Sequence, residues 1–153
     1  MIGYVCKYTP VEVFEAMGVE IGRIQPEVTN FNQADTLMHP NICSFTKSVL
    51  EDVLAGDYEG VVLTTCCDSI RRLYDVLKQQ CPDKFLYLLD VPRKVNDFST
   101  DMYRKNILDM VHAYEAFSGK TFDEIVLKQL LERREAGRIF EPHRKIRLPC
   151  ISV

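Results

Sequence analysis

The stretch GVVLTTCCDSIRRLYDVL, residues 60–77, decides the fold. Its first half, Gly60 to Cys66, is a continuous β-branched run, the composition of a strand buried on both faces. After Cys67 the period changes. Ile70, Leu73 and Leu77 recur three and four residues apart, which puts them on one face of a helix, and Asp68 or Ser69 is a suitable cap. A strand running straight into a helix is the first half of a βαβ unit. The next apolar run, KFLYLLDVP (84–92), follows Pro82 and supplies the second strand.

The same alternation extends in both directions. IGYVC (2–6) reads as a strand. TPVEVFEAMG opens a helix in which Thr9 caps, Pro10 takes the first helical position, Glu12 completes a capping box, and Gly18 ends it. VEIGRIQPE is a second strand, stopped by Pro26. Residues 28–41 have no period and read as a long loop, a feature that often carries function. In ICSFTKSVLEDVLAG, Phe45, Val49 and Val53, with Leu50 and Leu54, form a helical stripe closed by Gly56. Towards the carboxyl end, STDMYRKNILDMVHAYEAFSGK carries the stripe Tyr103, Ile107, Met110, Tyr114 and Phe117, with Gly119 as its stop. A last helix opens with a capping box from Thr121 to Glu124, and residues 138–153, with Pro142 and Pro149, read as a linker or tail. Strands alternating with helices predict one α/β domain over 1–153. Its architecture is an open, parallel, four-stranded sheet with helices on both faces, three layers in all, of the flavodoxin or Rossmann kind, with right-handed crossovers.

Composition bounds the function. The chain has 153 residues, 46% hydrophobic and 27% charged, which suits a folded domain with a core of its own. A net charge of −3 gives no electrostatic case for nucleic acid. The segment 132–147 is locally basic, with six Lys/Arg against three Asp/Glu, as a solvated helix and tail would be. The start lacks the basic and apolar regions of a signal peptide, and no run is long enough to span a bilayer, so a cytoplasmic location and no membrane partner are expected.

Six cysteines (Cys6, Cys43, Cys66, Cys67, Cys81, Cys150) raise metal binding or catalysis ahead of a disulfide framework in such a compartment. No CxxC pair is present, so a zinc finger does not fit. Cys43 and Cys67 are the candidate ligands. Each opens a helix, where thiolate is favoured over thiol, and each falls at the carboxyl edge of the expected sheet, where ligands bind in open α/β folds. Both also suit buried structural thiols. Strand alternation sends Cys66 and Cys67 to opposite sides without deciding which one faces the cleft. A vicinal disulfide between them is a further option. Cys6, Cys81, Cys150 and the scattered His39, His112 and His143 read as structural or incidental. Arg71 and Arg72 suit either an anion site or a polar helix face. No GxGxxG, Walker or GxSxG motif occurs.

The segments GYVCKYTPVEVFEAMG, HPNICSFTKSVLEDVLAG, GVVLTTCCDSIRRLYDVLK, FLYLLDVPRK and FSGKTFDEIVLKQLLERR, in that order, resemble the amino-terminal part of the 2-hydroxyacyl-CoA dehydratase and benzoyl-CoA reductase subunit family. The resemblance covers nearly the whole chain and is most specific at NICSF and CDSIRR. It implies a 4Fe–4S cluster with three cysteine ligands, of which Cys43 and Cys67, not Cys66, are present here. The third belongs to a later domain that this chain does not match. It implies radical elimination of water from a 2-hydroxyacyl-CoA through a ketyl radical anion, a second dehydratase subunit, and an ATP-dependent iron–sulfur activator protein. Tyr8, Thr9 and Ser44 are then expected to line the substrate pocket. With two ligands the isolated chain is expected to be inactive, or to be a non-catalytic flavodoxin-like module or a benzoyl-CoA-reductase-like electron-transfer subunit. The acyl group is not readable from the sequence.

Overall fold

The computed structural model describes residues 1–28 and 30–139. Four strands, β1 (Ile2–Tyr4), β2 (Ile21–Arg23), β3 (Gly60–Thr64) and β4 (Phe85–Leu89), form one parallel sheet in the order β2-β1-β3-β4. Six helices accompany it among the described residues: α1 (Val11–Ala16), α2 (Asn32–Leu37), α3 (Ser44–Ala55), α4 (Asp68–Gln80), α5 (Asp97–Ser118) and α6 (Glu124–Ile139). All five residues of β3 are buried, as its unbroken apolar run requires. One face of the sheet packs Val61 and Leu63 against α2, α3 and α4, chiefly Leu50, Val53, Leu73 and Leu77. The other packs Ile2, Val62, Phe85 and Leu89 against Phe14 of α1 and Met110 and Tyr114 of α5. The result is the three-layer α/β architecture expected. The chain leaves β1 for one edge of the sheet and returns to β3 on β1's other side, so a topological switch point lies between the carboxyl ends of β1 and β3.

Several local expectations are corrected. Residues 28–41 are not all loop, because they contain α2. Its six residues NQADTL have no apolar period; α3 supplies what holds them. Glu51 Oε1 accepts hydrogen bonds from Gln33 N (2.7 Å) and Ala34 N (2.8 Å), satisfying the first turn of α2. Lys47 Nζ reaches Asp35 (2.6 Å), and Ser48 Oγ donates to the Val28 carbonyl (2.9 Å). Lys47, Ser48 and Glu51 are therefore buried on the side of α3 that its pattern marks as polar. Glu51→Ala leaves two helix-terminal N–H groups without an acceptor, one of them buried. A loss of about 1–3 kcal/mol is expected, with amide exchange protection lost first over residues 32–37.

The caps differ as well. Thr9 does not cap α1. The N-cap is Pro10, with no side-chain bond, and the buried Thr9 hydroxyl has no hydrogen-bond partner among the described residues. Asp68 and Ser69 lie inside α4, whose N-cap is Cys67. Asp123, not Thr121, caps α6, accepting from Ile125 N (2.7 Å). The long helix starts earlier than expected, where Asn96 and Ser99 form a reciprocal capping box. It ends, as expected, at Gly119, whose φ of +70° suits glycine. Phe45 leaves the α3 stripe and is 47% exposed, since it lies in the first turn beyond the sheet's rim. Of the expected tail, 138–153, residues 138–139 instead close α6, and 140–153 lie outside the described residues, among them His143 and Cys150.

Candidate functional site

Four of the five described cysteines gather at the carboxyl rim of the sheet, and they divide into two groups. Cys43 and Cys67 are the N-cap residues of α3 and α4, helices that pack side by side on the same face. Both thiols are exposed and free. Cys43 Sγ lies 3.1 Å from Thr46 Oγ1, one turn into its own helix. The Ser69 side chain, two residues beyond Cys67, also favours the Cys43 thiolate, and the helices that Cys43 and Cys67 open pack against each other. Partial burial pushes the Cys43 thiol up. The hydrogen bonds from Thr46 and Ser69 outweigh it, and the net effect holds the thiol below its ordinary range. Free N–H groups at two helix starts favour negative charge at this point as well.

Cys6 and Cys66 form the second group, at the switch point. The register pairs Tyr4 with Val62; carried two residues on, it sets Cys6 beside Thr64. The thiols of Cys6 and Cys66 lie close enough to perturb each other's protonation. The neighbouring Cys66 is the largest cause holding the Cys6 thiol down, to about 5, and the neighbouring Cys6 is the largest cause pushing the Cys66 thiol up. The Thr64 hydroxyl lies beside both sulfurs and favours their thiolate forms, yet it has no partner of full hydrogen-bond geometry. Tyr103 of α5 lies near enough for the Cys6 charge to raise its phenol, after burial, and its hydroxyl donates to the Tyr8 carbonyl (2.7 Å). Cys6 and Cys66 thus belong to the α1/α5 side of the sheet, whereas Cys43 sits on the α3/α4 side.

The rim is braced between the strand tips. Thr65 Oγ1 donates to Asp90 Oδ1 (2.5 Å) and accepts from Val91 N (3.2 Å), and Asn106 Nδ2 donates to the Asp90 carbonyl (3.1 Å). These bonds fix the exit of β3, and with it the turn that carries Cys66 and Cys67. Tyr8 is 58% exposed on the β1 exit, Thr9 is buried beneath that loop, and Ser44 is exposed beside Cys43. The three therefore fall in two places, Tyr8 and Thr9 with Cys6 and Ser44 with Cys43. An open depression of about 380 Å³ lies at the β2 exit, lined by Arg23, Ile24, Gln25, Pro26, Glu27 and Phe45. Cys81 is buried at the end of α4, and His39 and His112 are both exposed.

The donor set at Cys43 and Cys67 is soft, exposed and, at Cys43, biased to thiolate, which fits two of the ligands of an iron–sulfur group. No group of three His, Cys, Asp or Glu side chains among the described residues is arranged to hold a metal ion. The nearness of Cys6 and Cys66 escaped the sequence pattern, because the two lie just beyond β1 and β3, strands whose adjacency no local signal reports. No helix among the described residues is long and apolar enough to cross a membrane.

Comparison with known proteins finds relatives along nearly the whole chain. Residues 6–140 match the family described as 2-hydroxyglutaryl-CoA dehydratase, D-component. The (R)-phenyllactyl-CoA dehydratase beta subunit of Clostridium sporogenes is 28% identical over 153 residues, covering 95% of this chain and 38% of its own length. A benzoyl-CoA reductase subunit of Thauera aromatica is 24% identical over 155 residues, with the same two coverages of 95% and 38%. The chain thus spans well under half the length of these relatives.

Proposed function

Because the chain belongs to the 2-hydroxyglutaryl-CoA dehydratase D-component family, we propose that it is the 4Fe–4S-binding domain of a 2-hydroxyacyl-CoA dehydratase-type subunit. The reaction is removal of water from a 2-hydroxyacyl-CoA by radical elimination. The observation that carries this reading is the placement of Cys43 and Cys67 at the starts of two adjacent helices on one rim of the sheet, inside the matched segment. Cys43 and Cys67 hold the cluster, and its remaining ligands come from outside the described residues. The cluster, when bound, supplies one-electron and Lewis-acid chemistry to the acyl thioester.

The chain's own residues prepare this place. Thr46 and Ser69 keep the Cys43 sulfur in its binding form. The starts of α3 and α4 offset the negative charge of thiolates and of an anionic substrate. Ser44 and Tyr8 offer exposed groups to an acyl-CoA, and the Thr65–Asp90 bond keeps the β3 exit from drifting. The relatives are named as subunits, which supports a second dehydratase subunit as partner. A separate ATP-dependent iron–sulfur activator is part of the same proposal, as the source of the electron. Likeness to a benzoyl-CoA reductase subunit supports one alternative, reductive chemistry on the same kind of thioester.

The test is anaerobic loading with ferrous iron and sulfide, followed by iron analysis and a visible spectrum. The wild-type chain should turn brown with about four irons per chain or per dimer, and Cys43→Ala and Cys67→Ala should each lose most of that iron while keeping the wild-type far-ultraviolet spectrum. Equal iron in the variants would refute ligation by these two sulfurs.

A further inference from the structure

We propose that the depression at the β2 exit binds a phosphorylated adenosine, the nucleotide end of a coenzyme A thioester. That the nucleotide belongs to coenzyme A rests on the dehydratase reading above; the depression and its side chains do not involve iron. The space of about 380 Å³ falls in the range of roughly 300–1,000 Å³ typical of small-molecule sites. It is held open from both sides. Ile24, buried at its floor, is fixed to β1 by the bond from its N–H to the Tyr4 carbonyl (2.8 Å). Just past Glu27, the Val28 carbonyl accepts from Ser48 Oγ of α3 (2.9 Å), which ties this segment to the helix that carries Phe45.

The lining selects the ligand. Phe45 is 47% exposed, a ring on which a base can stack. Arg23 is exposed and has no salt-bridge partner among the described residues, so its forked donors are available to a phosphate. Phe45 also lies in the first turn of α3, a helix of 12 residues whose positive end favours a second anionic group. Glu27 lines the same space, and its carboxylate repels phosphate but accepts from a ribose hydroxyl or a base amino group; Gln25 can do either. A ligand that satisfies all of them carries a flat ring, donor groups and phosphates together, which inorganic phosphate does not. Coenzyme A carries phosphate at both the 3′ and the 5′ position of its ribose, so Arg23 and the start of α3 can be met at once. Phe45 is two residues from Cys43, at most about 7 Å along the backbone, a gap that the pantetheine arm readily covers. A thioester anchored here by its nucleotide can therefore reach the Cys43 rim with its acyl end.

The experiment is isothermal titration of the reduced, metal-free chain with coenzyme A, and separately with ADP, pantetheine and inorganic phosphate. Coenzyme A should bind, ADP more weakly, and pantetheine and phosphate not at all over the same concentrations. Arg23→Gln and Phe45→Ala should each weaken coenzyme A binding about tenfold, the loss of one charge-assisted hydrogen bond or one stacking contact. Both side chains are exposed, so the variants should keep the wild-type far-ultraviolet spectrum. Lys128→Gln, which removes a charge from the exposed side of α6, should bind like wild type. No binding of coenzyme A at millimolar concentration, equal affinity for ADP and coenzyme A, or an affinity unmoved by both substitutions would each overturn the proposal. Iron loading of the same preparation separates the two readings. A chain that takes up iron but ignores coenzyme A loses the nucleotide site and keeps the cluster, whereas Arg23- and Phe45-dependent binding by a chain that takes up no iron keeps the nucleotide site alone.

Discussion

Gly60→Ala should destabilise the domain by about 3 kcal/mol, the upper part of the range for overpacking a core. An alanine Cβ at this position would sit 2.4 Å from the Phe85 carbonyl oxygen and 2.6 Å from Phe85 Cβ. The first neighbour is backbone of the adjacent strand, paired in register with Gly60, so no rotamer change relieves the clash. β4 must move as a unit. Doing so strains the Phe85 N to Glu59 carbonyl bond (3.0 Å) and disturbs the stack of Phe85 on Tyr87. For a domain of this size the loss corresponds to roughly 6–12 °C in Tm. Thermal unfolding followed by circular dichroism checks it, and a variant that melts within a degree of wild type would show that β4 shifts freely. Alanine at Gly18, where nothing lies within 4 Å but φ is +64°, is the control for backbone strain without a clash.

Tyr114→Ala should cost about 3–5 kcal/mol, as for other buried aromatic truncations. Tyr114 is fully buried and meets the edges of two rings, Phe14 at 5.2 Å and Phe85 at 4.9 Å between centroids. It therefore ties α5 to both α1 and β4. Its hydroxyl donates to Glu59 Oε1 (2.9 Å), so Tyr114→Phe should cost only about 1 kcal/mol, the net worth of one hydrogen bond. The phenol also carries a pH signature. Burial, and then the Glu59 carboxylate, push it up to about 12. A raised value means that its stabilisation is complete below about pH 10, the unfolded value, and is lost as pH climbs toward 12. Tyr58, pushed up to about 12 by burial and Asp52, acts in the same direction. Denaturant unfolding from pH 8 to 11 should show a steeper alkaline decline for wild type than for Tyr114→Phe. Parallel curves would remove Tyr114 from the alkaline transition.

The fold was legible because its signals are local. The unbroken apolar run of β3, the three-and-four spacing of Ile70, Leu73 and Leu77, and the stop at Gly119 each concern neighbours along the chain. What escaped depends on groups distant in sequence. α2 exists because Glu51 and Lys47 of another helix complete it, and no period in NQADTL reports that. The capping residues at Thr9 and Thr121 obey the motif, but the chain approaches α1 and α6 by paths that leave Pro10 and Asp123 at the cap positions. Phe45 repeats with Val49 and Val53, yet it overhangs the end of the sheet, where nothing remains to cover it. Helix starts at Cys43 and Cys67 were visible as residue types. The meeting of Cys6 with Cys66 required knowing which strands are neighbours.

The two rims of the sheet therefore answer to different demands. Gly60, Phe85, Glu59 and Tyr114 cluster where β3 and β4 begin, whereas every clustered sulfur lies where strands end. Damage at the first rim should be felt as melting, and damage at the second as lost chemistry in a protein that still folds. Such a division lets substitutions in the sulfur-bearing turns be read for chemistry with little thermal penalty, while the opposite rim answers first to changes in side-chain volume.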